Sequence, residues 1–110
     1  MKMDKVSVNT RKASRKKLAR EIYGGEVYKY YPLGKYIVAA PGICGGRPTF
    51  KYTRLEVSFI LALLSTGKAI QQVVQAYSLS RLTPEAVQEA IRLAEQALLR
   101  SAKRRQLAVA

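Results

Sequence analysis

The chain has 110 residues, of which 20 are Lys or Arg and 7 are Asp or Glu, so its formal net charge is +13. This length suffices for a hydrophobic core without disulfides or a structural metal, and this charge favours association with nucleic acid or another polyanion. The single cysteine, Cys44, excludes an intrachain disulfide, and the lack of histidine excludes the usual zinc sites.

The first predicted element is a basic N-terminal arm, residues 1–25. Its section 10–23 is predicted to be helical in part, with Thr10 as the N-cap and Gly24 as the stop signal. The apolar stripe of this section is thin, so the arm is predicted to be partly disordered or helical only against a partner. It is either a solvated tail or a contact with nucleic acid or a partner. The second interpretation rests on Arg11, Lys12, Arg15, Lys16, Lys17 and Arg20.

Residues 26–110 are predicted to form a single domain that begins with a β-hairpin at 27–40. Both halves of the hairpin are rich in aromatic and β-branched residues, and the Pro-Leu-Gly sequence at 32–34 suits a turn. Two strands alone are not stable, which predicts packing on helices or pairing in a homodimer. The tyrosines either stack bases or, as we favour, are half-buried or form a dimer or partner interface. They are Tyr28, Tyr30, Tyr31 and Tyr36.

A glycine-rich basic turn at residues 42–54 follows the hairpin. No acidic residue occurs between Glu26 and Glu56, although five cations do. This excess of cations predicts an anionic partner. Alternatively the arginines are structural, for example through an Arg54 to Glu56 bridge. The candidate nucleic-acid contacts in the turn are Arg47, Lys51 and Arg54.

Residues 56–103 are predicted to form three helices. Apolar residues recur at helical spacing, Gly67 ends the first helix, and Thr83 caps the third. The predicted fold class is therefore mainly α within α+β: a three-helix bundle of the homeodomain-like or helix-turn-helix kind, preceded by the hairpin and the basic arm. The third helix is predicted to bury Val87, Ala90, Ile91, Ala94 and Leu98.

Two alternatives compete as the reader of DNA, the last helix and the pair formed by the first two helices. The last helix offers Gln88 and Arg92, of types that contact bases or phosphates, but it also carries Glu85, Glu89 and Glu95. The alternative is the pair formed by the first two helices, which presents glutamines. The sequence leaves this choice open.

An enzymatic role is not predicted. The chain has no histidine to act as a general base, and its carboxylates are scattered. The glycine-rich turn lacks the lysine and hydroxyl residue that complete a phosphate-binding loop. We therefore expect no catalytic residue, no metal and no cofactor. The longest apolar run is too short to span a bilayer, which predicts a cytoplasmic protein without membrane association.

The motifs Gly46-Arg47-Pro48 and Thr53-Arg54-Leu55, followed by a helix that Leu82-Thr83-Pro84-Glu85 opens, resemble the domain-of-unknown-function family 433. Where the commoner pattern has glycine, this chain has Tyr52, which indicates that a glycine-only backbone conformation is not essential there. The resemblance implies a VapB-like antitoxin that binds operator DNA and a PIN-like ribonuclease toxin. The alternatives are an RNA- or ribosome-associated basic module and a purely structural interaction protein.

Overall fold

The structure is a computed structural model that describes residues 17–109, with side chains to residue 104. The chain divides into two compact units, Met1–Glu56 and Val57–Ala110. A four-stranded sheet lies in the first unit and three helices lie in the second. Among residues 17–109, no helix combines the length and the apolar character that crossing a membrane requires.

The strands of the first unit follow one another along the chain and across the sheet. They are β1 (Ala19–Tyr23), β2 (Glu26–Pro32), β3 (Ile37–Ala39) and β4 (Pro48–Phe50). Every neighbouring pair is antiparallel, in the order β1-β2-β3-β4. The sheet is therefore a meander with β1 and β4 at its edges.

A tight turn joins β1 to β2. Tyr23 and Glu26 are opposite each other, so Gly24 and Gly25 make a two-residue connection, and both have positive φ angles, +61° and +83°. Such turns match the twist of the strands they join, and glycine adopts their backbone conformation without steric cost. Gly24 therefore reverses a strand; it does not stop a helix.

The prediction of helix for the section 10–23 is wrong for residues 19–23, which form β1. Residues 10–16 of that section lie outside the described part of the chain. The physical reason is the alternation of side chains in β1: Ala19 and Glu21 are half-buried, whereas Arg20 and Ile22 are exposed. That period of two suits a strand paired to β2 and gives a helix no continuous apolar face.

The sheet has buried side chains on both faces: Ile37 and Phe50, which are opposite each other, lie on one face, and a hydrophobic cluster lies on the other. Tyr30, Val38 and Ala40 are buried there, and Ala19, Tyr28 and Ile43 pack against them. Ala19 comes from β1, Tyr30 from β2 and Val38 from β3, so this cluster joins three strands of the sheet.

The second unit contains α1 (Val57–Ser65), α2 (Ile70–Ala76) and α3 (Pro84–Val109). Each helix contacts both of the others. The Thr83 hydroxyl accepts a hydrogen bond from the Ala86 backbone N–H at 3.2 Å, as an N-cap residue does. Their buried centre consists of Ile60, Val73 and Val87.

From Ile91 onward, α3 is more exposed than the sequence pattern predicts. Val87 and Ala90 are buried as predicted, but Ile91 is 41% exposed, Leu98 is 69% exposed and Ala94 is exposed too. With 26 residues, α3 is about 39 Å long, far longer than α1 or α2. The helical spacing of apolar residues shows which side of a helix is apolar. It does not show how far along that side the neighbouring helices extend.

The predicted fold class is wrong. A mainly α, homeodomain-like or helix-turn-helix bundle carrying one hairpin is replaced by an α+β chain with a four-stranded antiparallel sheet before three helices. The two strands that the prediction lacks are β1 and β4. Strand β4 has only three residues and gains its hydrogen bonds from β3, so local propensity gives little sign of it.

Candidate nucleic-acid interface

Part of the sheet is a two-stranded ribbon. β1 pairs with β2 from Ala19 opposite Tyr30 to Tyr23 opposite Glu26, whereas β2 pairs with β3 only at Tyr31 and Pro32. Residues 26–30 of β2 therefore have β1 as their only strand neighbour in the described structure. We call residues 19–30, the two strands with their Gly-Gly turn, the ribbon.

The two faces of the ribbon carry different chemistry. Side chains alternate along a strand, and residues that face each other across a pair lie on the same side. The inner face, which includes the buried Tyr30, carries both carboxylates of the ribbon, those of Glu21 and Glu26. The outer face carries Arg20, Ile22, Val27 and Lys29.

Glu21 is the centre of a hydrogen-bond network on the inner face. Its carboxylate accepts hydrogen bonds from the Tyr30 hydroxyl, from the Tyr52 hydroxyl at 2.6 Å and from Lys51 Nζ at 2.9 Å. The bonds from Tyr30, then Tyr52, then Lys51 lower the pKa of Glu21 from 4.5 to about 2. The network fixes the charge of Glu21 and ties β1 to the segment after β4.

Lys51 is held within the same network. Its Nζ atom lies 4.7 Å from the centre of the Tyr30 ring and 5.0 Å from that of the Tyr52 ring, as in cation–π contacts. Partial burial by itself lowers the pKa of Lys51, but the hydrogen bonds with Glu21, Tyr30 and Tyr52 outweigh it and raise the pKa above its ordinary value. The ammonium is therefore already paired.

Tyr52 adopts a left-handed backbone conformation, with φ +71°. Glycine adopts this conformation most easily, but it is not required here, because Tyr52 itself adopts it. Two contacts compensate for the strain: the backbone N–H of Tyr52 donates to the Tyr28 hydroxyl at 3.0 Å, and the Tyr52 ring stacks on Tyr23 with centroids 4.3 Å apart. Although Tyr52 replaces the glycine of the motif, the turn is kept, and the Tyr52 hydroxyl adds a hydrogen-bond donor to Glu21.

Arg47 forms a bidentate pair with Glu56. Arg47 Nε and the terminal nitrogen Nη2 lie 2.9 and 3.0 Å from the two Glu56 carboxylate oxygens. The pair raises the pKa of Arg47 and lowers that of Glu56. Glu56 thus binds Arg47, and the alternative prediction of an Arg54 to Glu56 bridge is wrong. Arg54 is exposed, and its backbone carbonyl accepts a hydrogen bond from Cys44 Sγ at 3.3 Å.

The outer face of the ribbon places two cations side by side. Arg20 is directly opposite Lys29, both are exposed, and neither forms an ion pair with a carboxylate among residues 17–104. Next to them, nearer the turn, Ile22 is opposite Val27, with exposures of 74% and 55%. Like charges directly opposite each other destabilise a strand pair. An anion between these cations would relieve the repulsion.

The remaining predicted contacts are placed as follows. Arg11, Lys12, Arg15 and Lys16 lie outside the described residues, and Lys17 is exposed just before β1. Gln88 and Arg92 are exposed on α3, in the second unit, whereas Glu89 is buried. Of the predicted interface tyrosines, Tyr28 and Tyr30 lie on the inner face, with rings 5.2 Å apart, and Tyr31 and Tyr36 are half-buried.

Sequence reasoning missed two residues of this interface. Lys29 is absent from the candidate set, because its position opposite Arg20 follows only from the register of β1 and β2. Glu21 was not recognised as the group that holds Lys51. The usable signal was the Gly-Gly dipeptide between two alternating runs, which is typical of a two-residue hairpin turn.

The Glu21 network predicts a specific acid sensitivity. Because the folded-state pKa lies below 4.5, the network adds stability above about pH 4.5, and this contribution is lost as the pH falls to about 2. We expect Glu21→Gln to lower the melting temperature at pH 7, and the difference from the parent to shrink at pH 2.5. Glu56 titrates alike in both proteins and cancels in this comparison. A difference of equal size at both pH values would contradict the assignment.

Within residues 17–109, no three His, Cys, Asp or Glu side chains group in a way that could hold a metal ion.

Comparisons with known proteins support one conclusion. No curated protein and no solved structure matches the chain. A family model described as Protein of unknown function (DUF433) matches residues 37–94, more than half of the 110 residues. The chain therefore belongs to the DUF433 family.

Proposed function

We propose that this protein is a non-enzymatic, cytoplasmic regulatory protein that binds nucleic acid through the outer face of the ribbon. One observation carries the proposal: Arg20 and Lys29 are directly opposite, exposed and free of carboxylate partners in the described structure. Two other basic residues of the first unit, Arg47 and Lys51, are paired to Glu56 and Glu21. Pairing inside the fold makes these two cations scaffold, and it leaves the ribbon cations for an external anion.

Phosphate is the anion that fits the charge of the whole molecule. A phosphate near both Arg20 and Lys29 gains two charge-assisted hydrogen bonds and removes the like-charge repulsion between them. The carboxylates of the ribbon lie on the inner face, so they do not oppose a polyanion on the outer face. The formal net charge of +13 attracts such a polyanion at longer range.

Salt titration tests this proposal. Fluorescence anisotropy with a labelled 20-base-pair DNA duplex and a single-stranded RNA of equal length measures affinity as salt rises. We expect duplex DNA to bind more tightly than RNA, and the affinity to fall steeply with salt because each contacted phosphate releases counterions. Tighter binding of the RNA would instead support the alternative function, that of an RNA-associated basic module. Failure to bind either probe at low salt would contradict nucleic-acid binding.

An antitoxin role is the second candidate, and the second half of α3 favours it. This segment exposes Leu98 and Leu99, at 69% and 60%, beside the exposed cations Arg100, Lys103 and Arg104. The sequence resemblance implies a PIN-like ribonuclease partner, whose metal-binding pocket is acidic. A cationic helix that also exposes apolar side chains has the chemistry to cover such a pocket. The proposed function also includes assembly as a homodimer. Light scattering that gives the mass of a dimer would support this assembly, and the mass of a monomer would contradict it.

The antitoxin role predicts loss of inhibition in a leucine variant. With a purified PIN-like ribonuclease as the probe, we expect the parent protein to inhibit RNA cleavage. Leu98→Ser/Leu99→Ser should inhibit at least about tenfold less well, because buried interface leucines contribute roughly 1 to 2 kcal/mol each. Leu79→Ser is the matched control, since Leu79 is fully exposed in the same unit. Equal inhibition by the parent and the double variant would contradict this use of α3.

A further inference from the structure

We infer that the nucleic acid is B-form duplex DNA and that the ribbon lies in its major groove with its outer face toward the bases. This inference rests on the proposed function. The major groove of B-DNA is about 12 Å wide and admits a two-stranded β-ribbon. The ribbon has strands about 4.8 Å apart over five residue pairs, or about 17 Å. Its size therefore fits the groove.

The end of the ribbon is shaped for entry into a groove. The two turn residues, Gly24 and Gly25, have no side chains, and apart from their own chain neighbours no residue has an atom within 4 Å of where a Cβ would be. The tip is therefore thin and uncrowded. An A-form RNA duplex has a deep, narrow major groove that protein side chains cannot read, so the same ribbon has no equivalent site there.

The order of side chains along the outer face matches the parts of the groove. Tyr23 and Glu26 flank the turn, and Ile22 and Val27 form the next residue pair along the ribbon. Ile22 exposes 74% of its surface and Val27 exposes 55%. An exposed apolar pair of this kind fits the C5-methyl group of thymine, which only the major groove presents. Arg20 and Lys29 lie two residues farther from the tip, about 7 Å along the strands, where they reach phosphates at the groove edge.

The inner face of the ribbon, which carries its carboxylates, is turned away from the DNA in this arrangement. Glu26 lies on that face, and the Glu21 carboxylate is committed to Tyr30, Tyr52 and Lys51. The network thus stiffens the covered side of the ribbon while the other side remains open. Apolar side chains that face water are a cost to a free protein unless a partner covers them.

Replacing thymidine by deoxyuridine tests the inference directly. This change removes the C5-methyl group and leaves the backbone charge and the base pairing unaltered. For an AT-rich 20-base-pair duplex, we expect the parent protein to bind the uracil form about fourfold more weakly, the effect of losing one buried methyl of roughly 0.8 kcal/mol. In Ile22→Ser/Val27→Ser this preference should disappear. Phe59→Ser, which changes an exposed apolar residue of the second unit, should keep it.

Each outcome supports or overturns the inference. Preference for thymine that depends on Ile22 and Val27, with weaker binding of an RNA duplex of the same sequence, supports it. Salt-dependent DNA binding that is equal for thymine and uracil overturns groove entry and leaves the proposed function standing. Equal affinity for duplex DNA and duplex RNA overturns the choice of B-form DNA. Failure to bind any nucleic acid overturns the proposed function as well.

Discussion

Arg20→Glu is expected to stabilise the fold and to weaken DNA binding in the same molecule. Arg20 is directly opposite Lys29, so the substitution replaces a like-charge pair by an opposite-charge pair across the strands. Such cross-strand changes are worth about 0.2 to 1 kcal/mol, at the lower end for exposed groups. We expect the melting temperature to stay equal or rise by a few degrees.

DNA affinity is expected to change in the opposite direction. The variant loses one phosphate contact and places a carboxylate on the outer face, so its affinity for duplex DNA should fall about tenfold or more, as for a charged hydrogen bond of about 1.5 to 3 kcal/mol. Lys68→Glu is the matched control, because it reverses an exposed cation in the second unit and alters net charge equally. Anisotropy and thermal melting measure both effects. If Arg20→Glu and Lys68→Glu lost affinity equally, the loss would be due to the change in net charge and not to a contact of Arg20.

Tyr30→Ala is expected to have the largest effect on stability. Tyr30 is only 7% exposed, packs with Val38 and Ala40, and donates a hydrogen bond to Glu21. Removing a buried aromatic ring costs about 3 to 5 kcal/mol, which is a large share of the stability of a domain this small. Chemical denaturation followed by circular dichroism measures the loss.

A second variant separates the ring from the hydroxyl. Tyr30→Phe keeps the packing and removes the donor, so we expect a smaller loss of about 1 to 3 kcal/mol. Tyr31→Phe, a change in the same strand, is the control, because no hydrogen bond of the Tyr31 hydroxyl contributes to the network around Glu21. A loss as large in Tyr30→Phe as in Tyr30→Ala would show that the hydroxyl, not the ring, holds the ribbon.

Local signals in the sequence predicted the helical elements and one pair of strands. The Gly67 stop, the Thr83 cap and the aromatic runs around Pro32 each act within a few residues, and the structure has a helix end, a helix start and the β2–β3 connection there. These features depend on backbone propensity and capping, which neighbouring residues determine. Sequence pattern reading is adequate for them.

Contacts distant along the chain account for what the sequence did not predict. Arg47 and Glu56 are nine residues apart, and Lys51 and Glu21 are 30 apart. A cation count therefore treats Arg47 and Lys51 as free when the fold has already neutralised them. Conversely, Arg20 and Lys29 look unrelated in the sequence until the Gly24-Gly25 turn sets them opposite each other.

The central claim is that Arg20 and Lys29 contact phosphates, and the salt dependence of the double variant tests it most directly. For the parent and for Arg20→Gln/Lys29→Gln, the logarithm of the affinity for duplex DNA is plotted against the logarithm of the salt concentration. Each lost phosphate contact makes the slope shallower by about 0.9, so we predict a slope about 1.8 shallower in the double variant, with a melting temperature equal to that of the parent or slightly higher. The same slope in both proteins would contradict the account.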